Sequence, residues 1–203
     1  MTDKTRLDRI FDFILEIDKE KKIVRQTYLT GAARKEDDAE HAWHMAVMAL
    51  LLSDEANSKV DLLKVVSMLL VHDLIEIYAG DTYCYDAEAV KSQAGRERAA
   101  ADRLYALLPD DLGTKLRALW EEFEANATPE ACFAKTLDNL QPCMLNAATD
   151  GKAWAEHRVK LSQILHRNAN TAKGSQKLWE YQKERFIRPA LEKGRIIADT
   201  ELK

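Results

Sequence analysis

The sequence predicts a single all-α domain, and three observations support this fold class. The chain has 203 residues, which suits one domain of about 100–200 residues. Apolar residues recur at helical spacing, whereas runs of β-branched and aromatic residues at period two are missing. Only 7 Gly and 4 Pro punctuate the chain, so few positions interrupt a helix. We therefore expect one helical bundle over residues 1–203, without internal repeats or linkers.

The first half of the chain divides into three predicted helices. An amphipathic pattern favours a helix over roughly residues 4–21, and a second helix is expected from after Asp37 to about Ala56. A third runs from the N-cap Asp61 to Ala79, with Gly80 as its stop. The apolar face of the first helix comprises Leu7, Ile10, Phe11, Ile14 and Ile17.

The second half is predicted to be helical as well. After a loop at 81–86, helices are expected up to about Leu108, over 111–125 and over 128–148, the last opened by Thr128 and Pro129. Pro142 should kink this last helix or split it just after Asp138. Two more helices are expected, over about 152–167 and 175–193.

Composition and charge exclude several classes of function. Lys and Arg number 30 against 34 Asp and Glu, a net charge of −4, so a general nucleic-acid binder is not expected. Three cysteines without C-x-x-C spacing indicate a reducing compartment rather than a disulfide framework. The N-terminus does not resemble a signal peptide, and the longest apolar stretch, 45–52, is far below the ~20 residues of a membrane span. We expect a cytoplasmic protein without membrane contact.

The third predicted helix carries charged residues where its pattern predicts burial. It is apolar nearly all round, which is typical of a central core helix, yet it contains His72, Asp73 and Glu76 near its C-terminal end. Ionised groups in a core cost several kcal/mol unless they are paired or bind a metal. His72 and Asp73 point about 100° apart, and Glu76 lies one turn later on the same side.

Two other predicted helices each carry one such residue. His41 heads the apolar face of the second helix, and Asp138 lies between Leu137 and Leu140 in the 128–148 helix. Imidazole and carboxylate ligands from three helices suit a divalent transition metal with room for water. Taken singly, His41 also fits an ordinary first-turn histidine and His72 a satisfied core histidine, while His44, one turn after His41, could compete as a ligand.

These residues and their neighbours resemble a known family. The order of His41, His72-Asp73 and Asp138 is similar to the H…HD…D signature of the HD-domain metal-dependent phosphohydrolases. The flanking residues resemble the 5′-deoxynucleotidase branch, which includes the YfbR-type enzymes, over roughly residues 5–165. The flanking matches are Arg34-x-Glu36, Ala39-Glu40-His41, His72-Asp73-Leu74-Ile75-Glu76, Gly80-Asp81, Thr128-Pro129-Glu130 and Lys135-x-Leu137-Asp138.

The resemblance implies an all-α HD domain that holds one divalent metal and often forms a homodimer, with residues 166–203 packing on the core or on a partner subunit. It implies hydrolysis of (deoxy)ribonucleoside 5′-monophosphates to nucleoside and phosphate. The implied metal ligands are His41, His72, Asp73 and Asp138. The implied catalytic groups are Glu76 and Asp73, and the substrate-binding candidates are Arg25, Asp81, Arg34 and Lys91.

The sequence leaves several alternatives open. Mn²⁺, Co²⁺, Fe²⁺, Mg²⁺ and Zn²⁺ all suit this ligand set, and the base preference is not fixed. Another HD chemistry would hydrolyse a nucleoside triphosphate or an alarmone, although the compact chain lacks extra basic segments for several phosphates. A catalytically weak metal-containing binding module is the alternative from a different class. A cyclic-nucleotide phosphodiesterase has no Gly-Tyr-Pro motif to support it.

Overall fold

The computed structural model describes residues 4–80, 85 and 87–202, and for residues 87–92 it describes the backbone alone. The all-α prediction is confirmed, since the elements of the described residues are helices apart from one small hairpin. Among the described residues, no helix has both the length and the apolar character needed to cross a bilayer.

The N-terminal elements are two helices and a hairpin. Helix α1 (Arg6–Ile17) is followed by a 3₁₀ turn at Asp18–Lys22, and strands β1 (Val24–Tyr28) and β2 (Lys35–Asp37) pair antiparallel. Helix α2 (Asp38–Leu52) comes directly after β2. The sequence pattern missed the hairpin because both strands are short and carry mostly polar residues, so apolar alternation is absent.

The predicted third helix is interrupted where the charged residues lie. Helix α3 (Leu62–Val71) ends before His72, and α4 (Glu76–Ala79) begins four residues later. Between them the backbone tightens into a turn in which Glu76 N–H donates to the Asp73 carbonyl at 2.8 Å. The prediction of one helix over 61–79 was therefore wrong. The sequence does not indicate the turn, because it contains no Gly or Pro there. Leu63 and Leu70 are also exposed. One side of α3 therefore faces solvent, and α3 is not buried on every side as a central core helix would be.

The remaining helices follow the predicted order with different ends. They are α5 (Ala87–Tyr105), α6 (Asp110–Ala125), α7 (Pro129–Ala148), α8 (Lys152–Glu156), α9 (Leu161–Arg167), α10 (Thr171–Gly174), α11 (Gln176–Gln182) and α12 (Arg188–Glu192). Helix α7 continues through Pro142 without the split considered after Asp138. The single helix expected over 152–167 is two helices, because the chain turns at Arg158 with a φ of +50°. A π-helical turn at Lys183–Ile187 joins α11 to α12.

Helix α7 organises the core. Its apolar side packs with α2, α3 and α6 around fully buried side chains that include Met45, Leu69, Phe123 and Leu137. The C-terminal helices α10 and α11 also pack against α7. The N-terminal half of α2, the end of α3 and the middle of α7 consequently meet at one place inside the molecule.

Candidate metal centre

His41 is placed by the start of α2. Asp37 caps this helix by accepting a hydrogen bond from the Glu40 N–H at 2.9 Å, and the Glu40 carboxylate accepts from the Asp37 N–H at 3.1 Å. Such reciprocal capping fixes where a helix begins. One residue later, the His41 ring is 0% exposed.

His72 and Asp73 are placed by the end of α3. The His72 ring donates from Nδ1 to the Leu69 carbonyl at 3.0 Å, which leaves the lone pair of the neutral ring on Nε2. Asp73 Oδ2 lies 3.0 Å from Nε2 but outside hydrogen-bond geometry, and no described residue hydrogen-bonds to this buried nitrogen. A buried lone pair beside a carboxylate is an arrangement that a cation would satisfy.

Asp138 projects from the middle of α7 toward both histidines. Its Oδ1 lies 3.3 Å from His41 Nε2 and 3.9 Å from His72 Nε2. Its Oδ2 accepts a hydrogen bond from Arg167 Nη2 at 2.9 Å. Arg167 thus holds one carboxylate oxygen, so that the other faces the imidazoles.

The assembled donor set fits a divalent cation. Ligand atoms of His41, His72 and Asp73 lie within 4.8 Å of one another, and Asp138 Oδ1 lies within 4 Å of both imidazole nitrogens. Ligands about 2.0–2.2 Å from one ion lie roughly 3–4 Å apart, so small side-chain movements would close the set. Two neutral imidazoles and two carboxylates balance a charge of +2. The structure brings these predicted ligands together, and their role as ligands stays a prediction.

Burial and neighbouring charges shift the pKa values of the four candidate ligands in different directions. Burial, followed by the Arg25 charge, lowers the pKa of His41 to about 4. Burial opposes the charged form of His72, but the Asp73 carboxylate outweighs it and raises the pKa of His72. Although burial acts against ionisation, His72 and Arg25 lower the pKa of Asp73, while Arg167 and His41 lower that of Asp138. Near neutral pH, both carboxylates are therefore ionised and His41 is neutral.

Further buried acids surround the centre. Burial raises the pKa of Glu20 to about 8, and the Asp73 and Asp38 charges add to this effect. Burial also raises the pKa of Glu36 to about 7. Near neutral pH, Glu20 is therefore mostly protonated and Glu36 is partly protonated, so the negative charge at the centre comes mainly from Asp73 and Asp138.

Arg25 reaches this site from strand β1. Its guanidinium Nη1 donates to Asp38 at 3.0 Å and to Asp73 at 2.9 Å, and its side chain is 14% exposed. The neighbouring carboxylates outweigh burial and raise the pKa of Arg25 well above its ordinary value. Arg25 also lines the adjacent cavity, where a substrate anion would meet it.

The other predicted site residues have different positions. Glu76 lines the same cavity from the first turn of α4. Arg34 lies on the surface, where it pairs with Glu40, and it is not among the described cavity residues. Asp81 lies outside the described residues, as does the side chain of Lys91 in α5.

A cavity of about 370 Å³ opens beside the centre. His72, Asp73 and Asp138 form part of its wall, and Arg167 and Lys135 line it from other directions. Arg167 was not predicted as a candidate site residue, since no sequence pattern in 152–167 connects it with Asp138. Gln141 was not predicted either, although Gln141 follows Asp138 by one turn on the same helix face.

Comparisons with known proteins agree with this arrangement. Residues 17–179 match the sequence model of the HD domain. The chain is 34% identical over 133 residues to 5′-deoxynucleotidase HDDC2 of Xenopus laevis, covering 65% of each chain. It is 32% identical over 133 residues to the Homo sapiens protein of the same name, covering 65% of this chain and 64% of that one. The chain thus spans about two thirds of the length of these curated relatives.

Among solved structures, a protein from Magnetospirillum magnetotacticum MS-1 has a similar fold and sequence. It is described as a predicted metal-dependent phosphohydrolase and is 41% identical, with a TM-score of 0.90 over 97% of this chain and 98% of that chain. The resemblance predicted from the sequence motifs is confirmed, and this chain belongs to the HD domain family.

Proposed function

We propose that this chain is a divalent-metal-dependent phosphohydrolase that converts (deoxy)ribonucleoside 5′-monophosphates and water to nucleoside and phosphate. The observation that carries the proposal is the convergence of His41, His72, Asp73 and Asp138 beside an open cavity. The names of the curated relatives support the same substrate class. The proposed metal ligands are the four converging residues.

The chemistry requires an attacking water, charge neutralisation at phosphorus and a proton for the leaving group. A divalent ion, when bound, supplies Lewis-acid stabilisation and lowers the pKa of water. The water oxygen bonds to phosphorus while the bond from phosphorus to O5′ breaks. Glu76, on the cavity wall, is the proposed group that takes the proton of the water or protonates O5′. Asp73, on the wall of the same cavity, is the proposed group that orients the attacking water.

Two arginines are the proposed phosphate contacts among the described residues. Arg25 and Arg167 each line the cavity while holding a carboxylate of the centre, Asp73 and Asp138 respectively. Guanidinium groups bind phosphate oxygens through paired N–H donors. Asp81 and Lys91 stay predictions for the sugar and phosphate, and Arg34 would have to move from its pair with Glu40 to take part.

The charge of the cavity favours a substrate with one phosphate. Besides Arg25 and Arg167, the described lining residues include one lysine, Lys135, which donates to Glu124 at 2.8 Å. Arg25, Arg167 and Lys135 are therefore each already paired with an acid. Glu76 and Glu97 add negative charge to the cavity wall. A triphosphate or alarmone would bring more negative charge than this wall could neutralise.

A substrate panel tests the proposed function. The chain is stripped with a chelator, reloaded separately with Mn²⁺, Co²⁺, Mg²⁺ or Zn²⁺, and assayed for phosphate release. We expect hydrolysis of dAMP, dCMP and other monophosphates at least about tenfold faster than that of dGTP or a guanosine polyphosphate, and none without metal. Faster hydrolysis of dGTP or the polyphosphate would assign the alternative HD chemistry. Bound metal without turnover of any substrate would assign a binding module.

We also propose that the chain forms a homodimer. Exposed apolar residues on α1 follow helical spacing, and α2 and α3 carry others. Such faces on a folded chain mark protein contacts. The α1 face comprises Leu7, Phe11, Ile14 and Leu15, which are 49–71% exposed. Sedimentation should give twice the mass of the chain for the wild type and one chain mass for Phe11→Glu. A monomeric wild type at the highest soluble concentration would contradict the dimer.

The cytoplasmic location stays a prediction. It is supported by the two described cysteines, Cys132 and Cys143, which are free thiols. Burial raises the pKa of Cys143 to about 12, so this thiol is unreactive.

A further inference from the structure

A buried amide connects the candidate metal centre to the hairpin. Gln141, on α7, is 0% exposed. Its Oε1 lies 2.9 Å from His41 Nδ1, and its Nε2 lies 2.9 Å from Glu36 Oε2 and 3.2 Å from His44 Nδ1. Nothing in the proposed reaction uses Gln141 or Glu36, although Glu36 belongs to the Arg34-x-Glu36 motif.

The chemistry of the amide fixes the direction of these hydrogen bonds. An amide nitrogen only donates and an amide oxygen only accepts. Nε2 directs its two hydrogens at Glu36 and His44, so Oε1 must accept a hydrogen bond from His41. The hydrogen of the neutral His41 ring is therefore on Nδ1, and its lone pair is on Nε2. That lone pair faces Asp138 Oδ1 at 3.3 Å, and a cation held between these two atoms would satisfy both.

We propose that Gln141, oriented by Glu36, is a positioning residue that holds His41 in the tautomer and ring orientation needed for metal binding. This inference rests on the metal centre of the proposed function. Groups that bind the second ring nitrogen commonly control the orientation and basicity of a metal-ligating histidine. The second ring nitrogen of His72 is bound by the backbone carbonyl of Leu69, whereas that of His41 is bound by the Gln141 side chain. Only the His41 contact can therefore be removed by substitution.

Glu36 is needed because a glutamine amide can rotate by half a turn. An ionised Glu36 can only accept, so rotation would then place the amide oxygen against the carboxylate and is disfavoured. Glu36 is itself held in strand β2, is 1% exposed, and lies 3.8 Å from Arg25 Nε through its other oxygen. The hairpin thus contributes to the metal centre without supplying a ligand.

The test uses Gln141→Met, which keeps the length of the side chain and removes both hydrogen-bonding ends. The tautomer of His41 is read from imidazole nitrogen shifts in the metal-free protein, and Mn²⁺ affinity is measured by competition with a chelator. We expect loss of the single Nδ1–H tautomer and about 10–100-fold weaker Mn²⁺ binding. The matched control is Thr136→Val, at a buried position on the same helix as Gln141. It removes the hydrogen bond from Thr136 to the Thr171 carbonyl of α10 and should leave both readouts unchanged.

The exchange variant Glu36→Gln with Gln141→Glu provides a second measurement. The new carboxylate accepts from His41 and the new amide donates to that carboxylate, so we expect the wild-type tautomer and near-wild-type Mn²⁺ affinity. Unchanged tautomer and affinity in folded Gln141→Met would overturn the proposal. If Gln141→Met does not fold, the exchange variant decides, and loss of the tautomer there would overturn it. These readouts are independent of turnover, so a wild type that binds Mn²⁺ without hydrolysing dAMP would refute the proposed function alone.

Discussion

Replacing His72 by Ala, or Asp73 by Asn, should remove metal binding and phosphatase activity together. Each side chain provides one of the converging ligand atoms, and Asp73 is also the carboxylate that pairs with Arg25. Lewis-acid stabilisation is worth several kcal/mol, and each 1.4 kcal/mol changes the rate tenfold. We therefore expect a loss of at least about 10³-fold in kcat/KM toward dAMP. Metal content is measured by elemental analysis of the purified variants.

A matched control separates loss of a ligand from loss of any histidine. His157 is exposed in the turn after α8, and His157→Ala should keep both the metal and the activity. Circular dichroism establishes that the His72 and Asp73 variants are folded. A folded variant that retains one metal per chain and full turnover would contradict the assignment of that residue as a ligand.

The sequence was sufficient to predict that the candidate ligands come together, because these residues violate a local pattern. His72 and Asp73 interrupt an apolar run, and Asp138 lies among leucines, so each position signals an unusual environment. The same run predicted a continuous helix over 61–79, although the chain turns between Val71 and Glu76. That turn depends on contacts such as the His72 bond to the Leu69 carbonyl, which spacing does not reveal.

The surroundings of the metal centre depend on tertiary contacts and were not predictable in this way. Arg25 is a polar residue in a short strand, and its contacts with Asp38 and Asp73 appear only when the hairpin packs on α2. Arg167 is 29 residues from Asp138 in the chain but 2.9 Å away in space. The family resemblance suggested a substrate-binding role for Arg25 without its geometry, and it suggested none for Arg167.

The predicted role of Glu76 is tested by a change that removes its acid–base chemistry and its charge but keeps its size. Glu76→Gln preserves size and hydrogen-bonding capacity, but an amide exchanges no proton near neutral pH. General acid–base catalysis contributes about 10²–10⁴-fold, so we expect a loss of this size in kcat with little change in KM. Metal content should stay at the wild-type level, because Glu76 is not one of the converging ligands. Steady-state kinetics with dAMP and elemental analysis give both values.

Glu124→Gln is the matched control for Glu76→Gln, because Glu124 is another carboxylate on the cavity wall. Its carboxylate pairs with Lys135 at 2.8 Å and has no proposed part in proton transfer, so its loss should change kcat only slightly. If both variants lost activity equally, the effect would reflect the general charge of the cavity rather than proton transfer at Glu76. If Glu76→Gln lost its metal, Glu76 would have to be reassigned to the group that holds the ion. Slow turnover with metal retained, confined to Glu76→Gln, is the result that a proton-transferring role predicts.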